Sequence, residues 1–112
     1  MRDILAAIVR HGTDRPDAVA LQDACGTVCY GELVQRVGGL ARRLRDAPSV
    51  IGIGGASSVG WAVVDLAMAA SGRTAVLLPP FFSLEQLRHV VVDARVSLIL
   101  AEAATIDQLR PL

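Results

Sequence analysis

The sequence predicts an α/β fold: a parallel three-stranded βαβαβ core at about residues 50–100, preceded by a helix, a β-hairpin and a second helix. Three observations predict it. Past Ser49, short β-favouring apolar segments alternate with segments of helical period, and connections of that length run as right-handed crossovers between parallel strands. Before Ser49, two short β-favouring runs flank a turn-forming tetrad, between two stretches of helical period. Finally, 112 residues, 53% hydrophobic and 20% charged, suffice for one core. A chain of this size buries roughly two-thirds of its unfolded surface, so residues 1–112 read as a single domain.

Each element follows from local chemistry. Ile4, Leu5, Ile8 and Val9 recur at helical spacing, and His11-Gly12 closes that helix before Asp14-Arg15-Pro16-Asp17. Ala18–Gln22 and Thr27–Tyr30 are strands around the hairpin turn Asp23-Ala24-Cys25-Gly26. Leu33, Val37, Leu40, Ala41 and Leu44 mark one face of a helix over Gly31–Arg45, stopped by Pro48. Ser49–Ile53 is a strand. Ser57 or Ser58 caps a helix reaching Ala70, Gly72 ends it, and Thr74–Leu78 is the next strand. After Pro79-Pro80, Ser83 and Gln86 form a capping box for a helix to Ala94. Val96–Leu100 is the third strand, and a short helix follows at Thr105–Leu109.

Composition excludes several functions. Eleven basic and eleven acidic residues cancel, leaving no cationic excess to hold nucleic acid or anionic lipid. Every basic residue is Arg. A Walker-type phosphate loop and Schiff-base chemistry both need a Lys, so neither is available. Two Cys, Cys25 and Cys29, with two His make neither a disulfide framework nor a four-ligand zinc site, and a reducing, cytoplasmic location is expected. The longest nearly uncharged stretch, Val50–Ala70, is broken by Gly52, Gly54, Gly55 and Gly60, so no membrane span is expected.

The order of motifs adds a family resemblance. Arg15-Pro16-Asp17-Ala18-Val19-Ala20-Leu21, the hairpin, and Val28-Cys29-Tyr30-Gly31-Glu32-Leu33 resemble the opening of the adenylate-forming superfamily of acyl-CoA synthetases, peptide-synthetase adenylation domains and luciferases. The last run is similar to the family's Leu-Thr/Ser-Tyr-x-Glu-Leu motif, with Cys29 where Ser or Thr is usual. Arg36–Leu44 resembles the helix that follows, and Ile51-Gly52-Ile53 its Val-Ala-Ile strand. Met68-Ala69-Ala70-Ser71-Gly72 and Leu78-Pro79 stand at the Lys-Ala-Gly and Val-Pro positions. Phe82–Leu87 and Asp93–Leu100 are similar to the next helix and strand, so the likeness covers nearly the whole chain in order. The resemblance implies an N-terminal scaffold portion of an ATP-dependent, AMP-forming acyl or aminoacyl ligase. The family's phosphate loop, magnesium-binding acid, ribose-binding acid and C-terminal catalytic Lys have no counterpart in these residues. No catalytic residue is therefore carried over, no activity is expected of the chain alone, and ATP and Mg belong to the full-length family rather than to this segment.

Two other functions are weighed. Gly52, Gly54, Gly55 and Ser57 lie between a strand and a helix N-terminus, where a glycine-rich loop can offer N–H groups to a phosphate. The spacing is Gly-x-Gly-x-x-Ser, and Pro79-Pro80 stands where a dinucleotide site would place its ribose-binding acid, so a tight structural turn is the simpler reading. The helix 57–70 is apolar nearly all round, through Val59, Trp61, Val63, Val64, Leu66 and Met68. One side can pack on the sheet and the other must meet another element, a second copy or another protein, so a protein partner or homo-oligomer through helix 57–70 is expected, and an interaction module is the alternative function. Cys25 and Cys29 lack the Cys-x-x-Cys spacing of a redox pair. His11 and His89 have no relay partner at a telling spacing, and Arg36, Arg42, Arg43 and Arg45 read as a solvated helix end rather than an RNA patch. Phe81-Phe82 is expected to anchor its loop on the core.

Overall fold

The computed structural model describes residues 2–55 and 58–112. In order it contains α1 (Arg2–Asp14), β1 (Val19–Asp23), β2 (Gly26–Cys29), α2 (Tyr30–Leu44), β3 (Val50–Gly54), α3 (Val59–Ser71), β4 (Thr74–Leu78), α4 (Leu84–Asp93), β5 (Ile99–Ala101) and α5 (Ala103–Leu109). The hairpin β1–β2 is antiparallel and separate from a parallel sheet of order β4-β3-β5. This is the α/β architecture expected, with β3 as the central strand.

β3 divides the molecule into two unequal faces. Ile51 and Ile53 point to one face, where Val28, Leu33, Val37, Ala41, Leu44, Val63, Ala67 and Met68 complete a continuous core. The alternate residues Gly52 and Gly54 face the other side, where, among the described residues, the buried side chains are Leu78, Leu87 and Leu109. Every described residue of α3 except Ala70 is buried or half-buried. The helix packs within the chain chiefly on α2, with α1, β1 and β4; Val63, Ala67 and Met68 are buried, and Val59, Trp61, Val64 and Leu66 are half-buried.

Local chemistry explains the element ends. Ser58 caps α3 by accepting from Trp61 N at 3.0 Å, and Gly72 closes it at φ 71°. The capping box of Ser83 and Gln86 opens α4. At α2 the N-cap is Cys29, which makes no side-chain cap; instead the Tyr30 and Gly31 amides donate to the carbonyls of Ala18 and Pro16, at 3.0 and 2.9 Å. Ser57 lies outside the described residues.

Three expectations need correction. His11-Gly12 does not end α1, which runs to Asp14 before Pro16 stops it. Gly12 is instead a contact point: a Cβ there would lie 2.7 Å from Val34 Cγ2. The third strand begins at Ile99 rather than Val96, because the Val96 amide donates to Val91 O and Arg95 takes the left-handed conformation, φ 57°, closing α4 with a Schellman motif. An amide used in that cap cannot join the sheet. Phe82 is half-buried on the smaller core, but Phe81 is 82% exposed and anchors nothing.

Candidate functional site

The β3–α3 junction, where the sequence places its glycine run, lies at the carboxyl edge of a parallel sheet, the usual position for a ligand in such folds. Its glycines are in different situations. Gly52 and Gly54 are buried strand residues. A Cβ on Gly54 would collide with Leu109 Cδ1, and one on Gly52 would meet Leu78, Val96 and Ile99 side chains at 3.0–3.3 Å. Both glycines let neighbouring side chains close over the strand. Gly55 alone is in the turn, at φ 125°, a conformation that favours glycine.

Among the described residues, the polar side chains Ser58, Glu102 and Asp23 around this turn are engaged with each other or with backbone amides. Ser58 Oγ donates to Glu102 Oε1 at 2.5 Å while accepting from Trp61 N, which joins the start of α3 to the residue preceding α5. Across the turn, the Asp23 carboxylate reaches from the hairpin. Its Oδ2 accepts from Val59 N at 2.9 Å, and its Oδ1 accepts from Cys25 N and Gly26 N at 2.8 and 3.0 Å. The Val59 amide, then that of Cys25, hold the Asp23 carboxyl below the usual carboxylate range; partial desolvation opposes them. One carboxylate therefore closes its own turn and satisfies the first amide of a helix 36 residues away. Two carboxylates, Asp23 and Glu102, flank the turn, an arrangement that repels a phosphate.

The other residues singled out by the sequence do not converge. Cys25 sits exposed in the hairpin turn, whereas Cys29 is half-buried at the far end of β2 opposite Val19. Arg15 donates to His11 Nδ1 at 3.0 Å, and the imidazole lies 5.0 Å from the Tyr30 ring. His89 meets only Asp93, 3.1 Å away on the exposed side of α4. Arg36, Arg42, Arg43 and Arg45 are exposed. The cation that serves the end of α2 is Arg73, just before β4: its Nε donates to Leu44 O at 2.9 Å and its Nη2 to Arg45 O. Asp23, Glu102 and Arg73 are the residues that sequence reasoning missed. Only the Asx turn of Asp23 left a local signal.

Among the described residues no three His, Cys, Asp or Glu side chains are grouped to hold a metal ion, and no helix is long and apolar enough to cross a membrane. Apolar cavities flank the junction, two of them small. One, of about 180 Å³, opens between Gly55, Pro80, Phe82 and Thr105; the other, of about 260 Å³, lies between Leu40, Trp61, Leu100 and Glu102.

Known proteins share this arrangement. VinN is 26% identical, with a TM-score of 0.83 over 96% of this chain and 29% of its own. AB3403, a four-domain nonribosomal peptide synthetase solved with AMP and glycine, is 29% identical, with a TM-score of 0.80 over 94% of this chain and 8% of its own. The N-terminal subdomain of Klebsiella oxytoca NpsA has the same fold at 19% identity, with a TM-score of 0.75 over 91% of this chain and 28% of that one. The chain thus spans less than a third of the length of each. No curated protein sequence matches it closely enough to count as a relative. A family model described as "AMP-binding enzyme" matches residues 8–112. With that match over nearly the whole sequence and an N-terminal subdomain fold, the chain belongs to the AMP-binding, adenylate-forming enzyme family.

Proposed function

We propose that this chain is the N-terminal scaffold portion of an ATP-dependent, AMP-forming ligase, and that it does not catalyse adenylation by itself. The observation that carries the reading is the match of residues 8–112 to the family, together with a fold likeness to VinN that takes in 96% of this chain but 29% of the other. Adenylation must orient a triphosphate and stabilise charge as phosphoryl transfer proceeds. The chain has no Lys, and the glycine run at the end of β3 packs against Leu109, Leu78 and Ile99. Asp23 and Glu102 beside that turn further favour a structural role for Gly52, Gly54 and Gly55.

Among AMP-forming ligases, the aminoacyl branch is the better fit. VinN was solved with L-aspartate and AB3403 with AMP and glycine. Against this branch stands the run Leu78-Pro79-Pro80-Phe81-Phe82-Ser83, which resembles acyl-CoA synthetases slightly more than peptide-synthetase domains. A cytoplasmic location follows from a ligase supplied with ATP. The test is carboxylate-dependent exchange of pyrophosphate into ATP, with a panel of amino acids and aliphatic acids. The chain alone is expected to match a protein-free control; exchange above that control with any acid would overturn the reading.

A further inference from the structure

The parallel sheet has an unguarded edge. Among the described residues β4 pairs only with β3. Thr74 N donates to Ser49 O at 2.8 Å, so by the alternation of a strand the amides of Ala75 and Leu77 point away from the sheet. Edge strands are ordinarily protected by charge, proline or a bulge. β4, Thr74-Ala75-Val76-Leu77-Leu78, has no charged residue and no proline, and its pairing with β3 is regular throughout. The one adjacent cation, Arg73, is turned back onto the carbonyls of Leu44 and Arg45. Leu77 is 54% exposed, and with Trp61, Ile53, Pro79 and the exposed Phe81 it lines an open groove of about 430 Å³ beside the edge.

We infer that β4 is a self-association edge, on which a second copy of this chain adds its own β4 in antiparallel orientation. Register follows from the amides. A two-fold axis through Val76 sets Ala75 opposite the other copy's Leu77, the one centred alignment in which outward amides meet outward carbonyls and each pair exchanges both bonds. It also sets a large side chain opposite a small one at both positions, and it is isologous, so it closes at two copies. The product is one six-stranded sheet, of order β5-β3-β4-β4-β3-β5. Charge favours a second copy over a charged partner: the chain is formally neutral, and Thr74–Phe81 carries no ionisable side chain to repel its symmetry mate. The shape agrees, since the molecule is a slab of 46 × 30 × 19 Å, so that edge-to-edge pairing leaves both helical layers in place. This inference stands independently of the ligase reading.

Sedimentation equilibrium on the full chain at high micromolar concentration tests it. A monomer–dimer equilibrium is expected, lost in Leu77→Lys and in Ala75→Lys but retained in Val92→Lys, which alters an exposed apolar residue on α4. Thermal melts establish that the variants are folded. Should either edge variant fail to fold, wild-type hydrogen exchange decides: the Ala75 and Leu77 amides are expected to gain protection as protein concentration rises. A strictly monomeric chain, a dimer unaffected by both edge substitutions, or edge amides whose exchange ignores concentration would each overturn the inference.

Discussion

The two faces of the β3 sheet differ both in the residues the central strand gives them and in how much is laid over them. On the α2–α3 face, ten buried residues form one continuous core, closed further by Ile8, Leu40, Trp61 and Leu66. On the α4–α5 face, among the described residues, the buried side chains are Leu78, Leu87 and Leu109, and Leu84, Val92 and Ile106 stay exposed. The strand supplies isoleucines to the first face and glycines to the second, which lets α5 come close but leaves little apolar surface to bury. The first face holds the fold together; the second is a thin layer. Opening of α4 and α5 therefore costs less than opening of α2 and α3.

Substitution of one buried side chain on each face tests that contrast with the largest expected effect. Ile51→Ala, at a fully buried position, is expected to cost about 2–5 kcal/mol, whereas Leu87→Ala should fall at or below the low end of that range because the thin layer can collapse around it. Urea denaturation gives both values. Equal losses would break the comparison.

Arg73→Ala addresses how the thick face is tied to the sheet. Loss of a cation from two carbonyls at the end of α2 is expected to cost about 1.5–3 kcal/mol, lowering the urea midpoint with little change in slope. An unchanged midpoint would mean that water replaces the guanidinium.

The two helices of the thick face start differently, which gives a pair of smaller, opposite effects. Ser58→Ala removes the α3 cap and should cost about 1 kcal/mol. Cys29→Ser supplies the cap that α2 lacks, since Cys29 already has the extended conformation of an N-cap, φ −80° and ψ 165°; the expected gain is about 0.5–1 kcal/mol. Melting temperatures moving in the same direction for both would refute this account of the helix starts.

The smallest effect is pH-dependent. The Asp23 carboxyl titrates lower in the folded chain than in the unfolded one, chiefly through the Val59 amide. Its contribution is therefore complete above the unfolded value, about 3.9, and is lost as pH falls through the folded value. Wild type should lose stability below about pH 4 more steeply than Asp23→Ala, and parallel pH profiles would contradict the assignment.

Elements whose signals are local were legible in the sequence: the Ser83–Gln86 capping box, the Gly72 stop, the hairpin turn and the buried face of α2 all lie within a few residues of what they specify. Val96 was misread because periodicity does not reveal that its amide is spent on Val91 O. Gly12 was misread because a glycine chosen for close approach to Val34 resembles one chosen to end a helix. At the junction the glycine run was visible, but its meaning depends on Leu109, Glu102 and Asp23, brought there only by the fold. The same holds for Arg73, which serves a helix 28 and 29 residues earlier in sequence.

The central claim is that the glycine turn after β3 is scaffold, and calorimetric titration of the chain with ATP, AMP and NAD tests it most directly. The account predicts no saturable heat from any of the three, with Gly55→Ala lowering the melting temperature because it forces a Cβ onto a backbone at φ 125°. Saturable binding at low micromolar nucleotide, abolished in Gly55→Ala while the melting temperature holds, would contradict it.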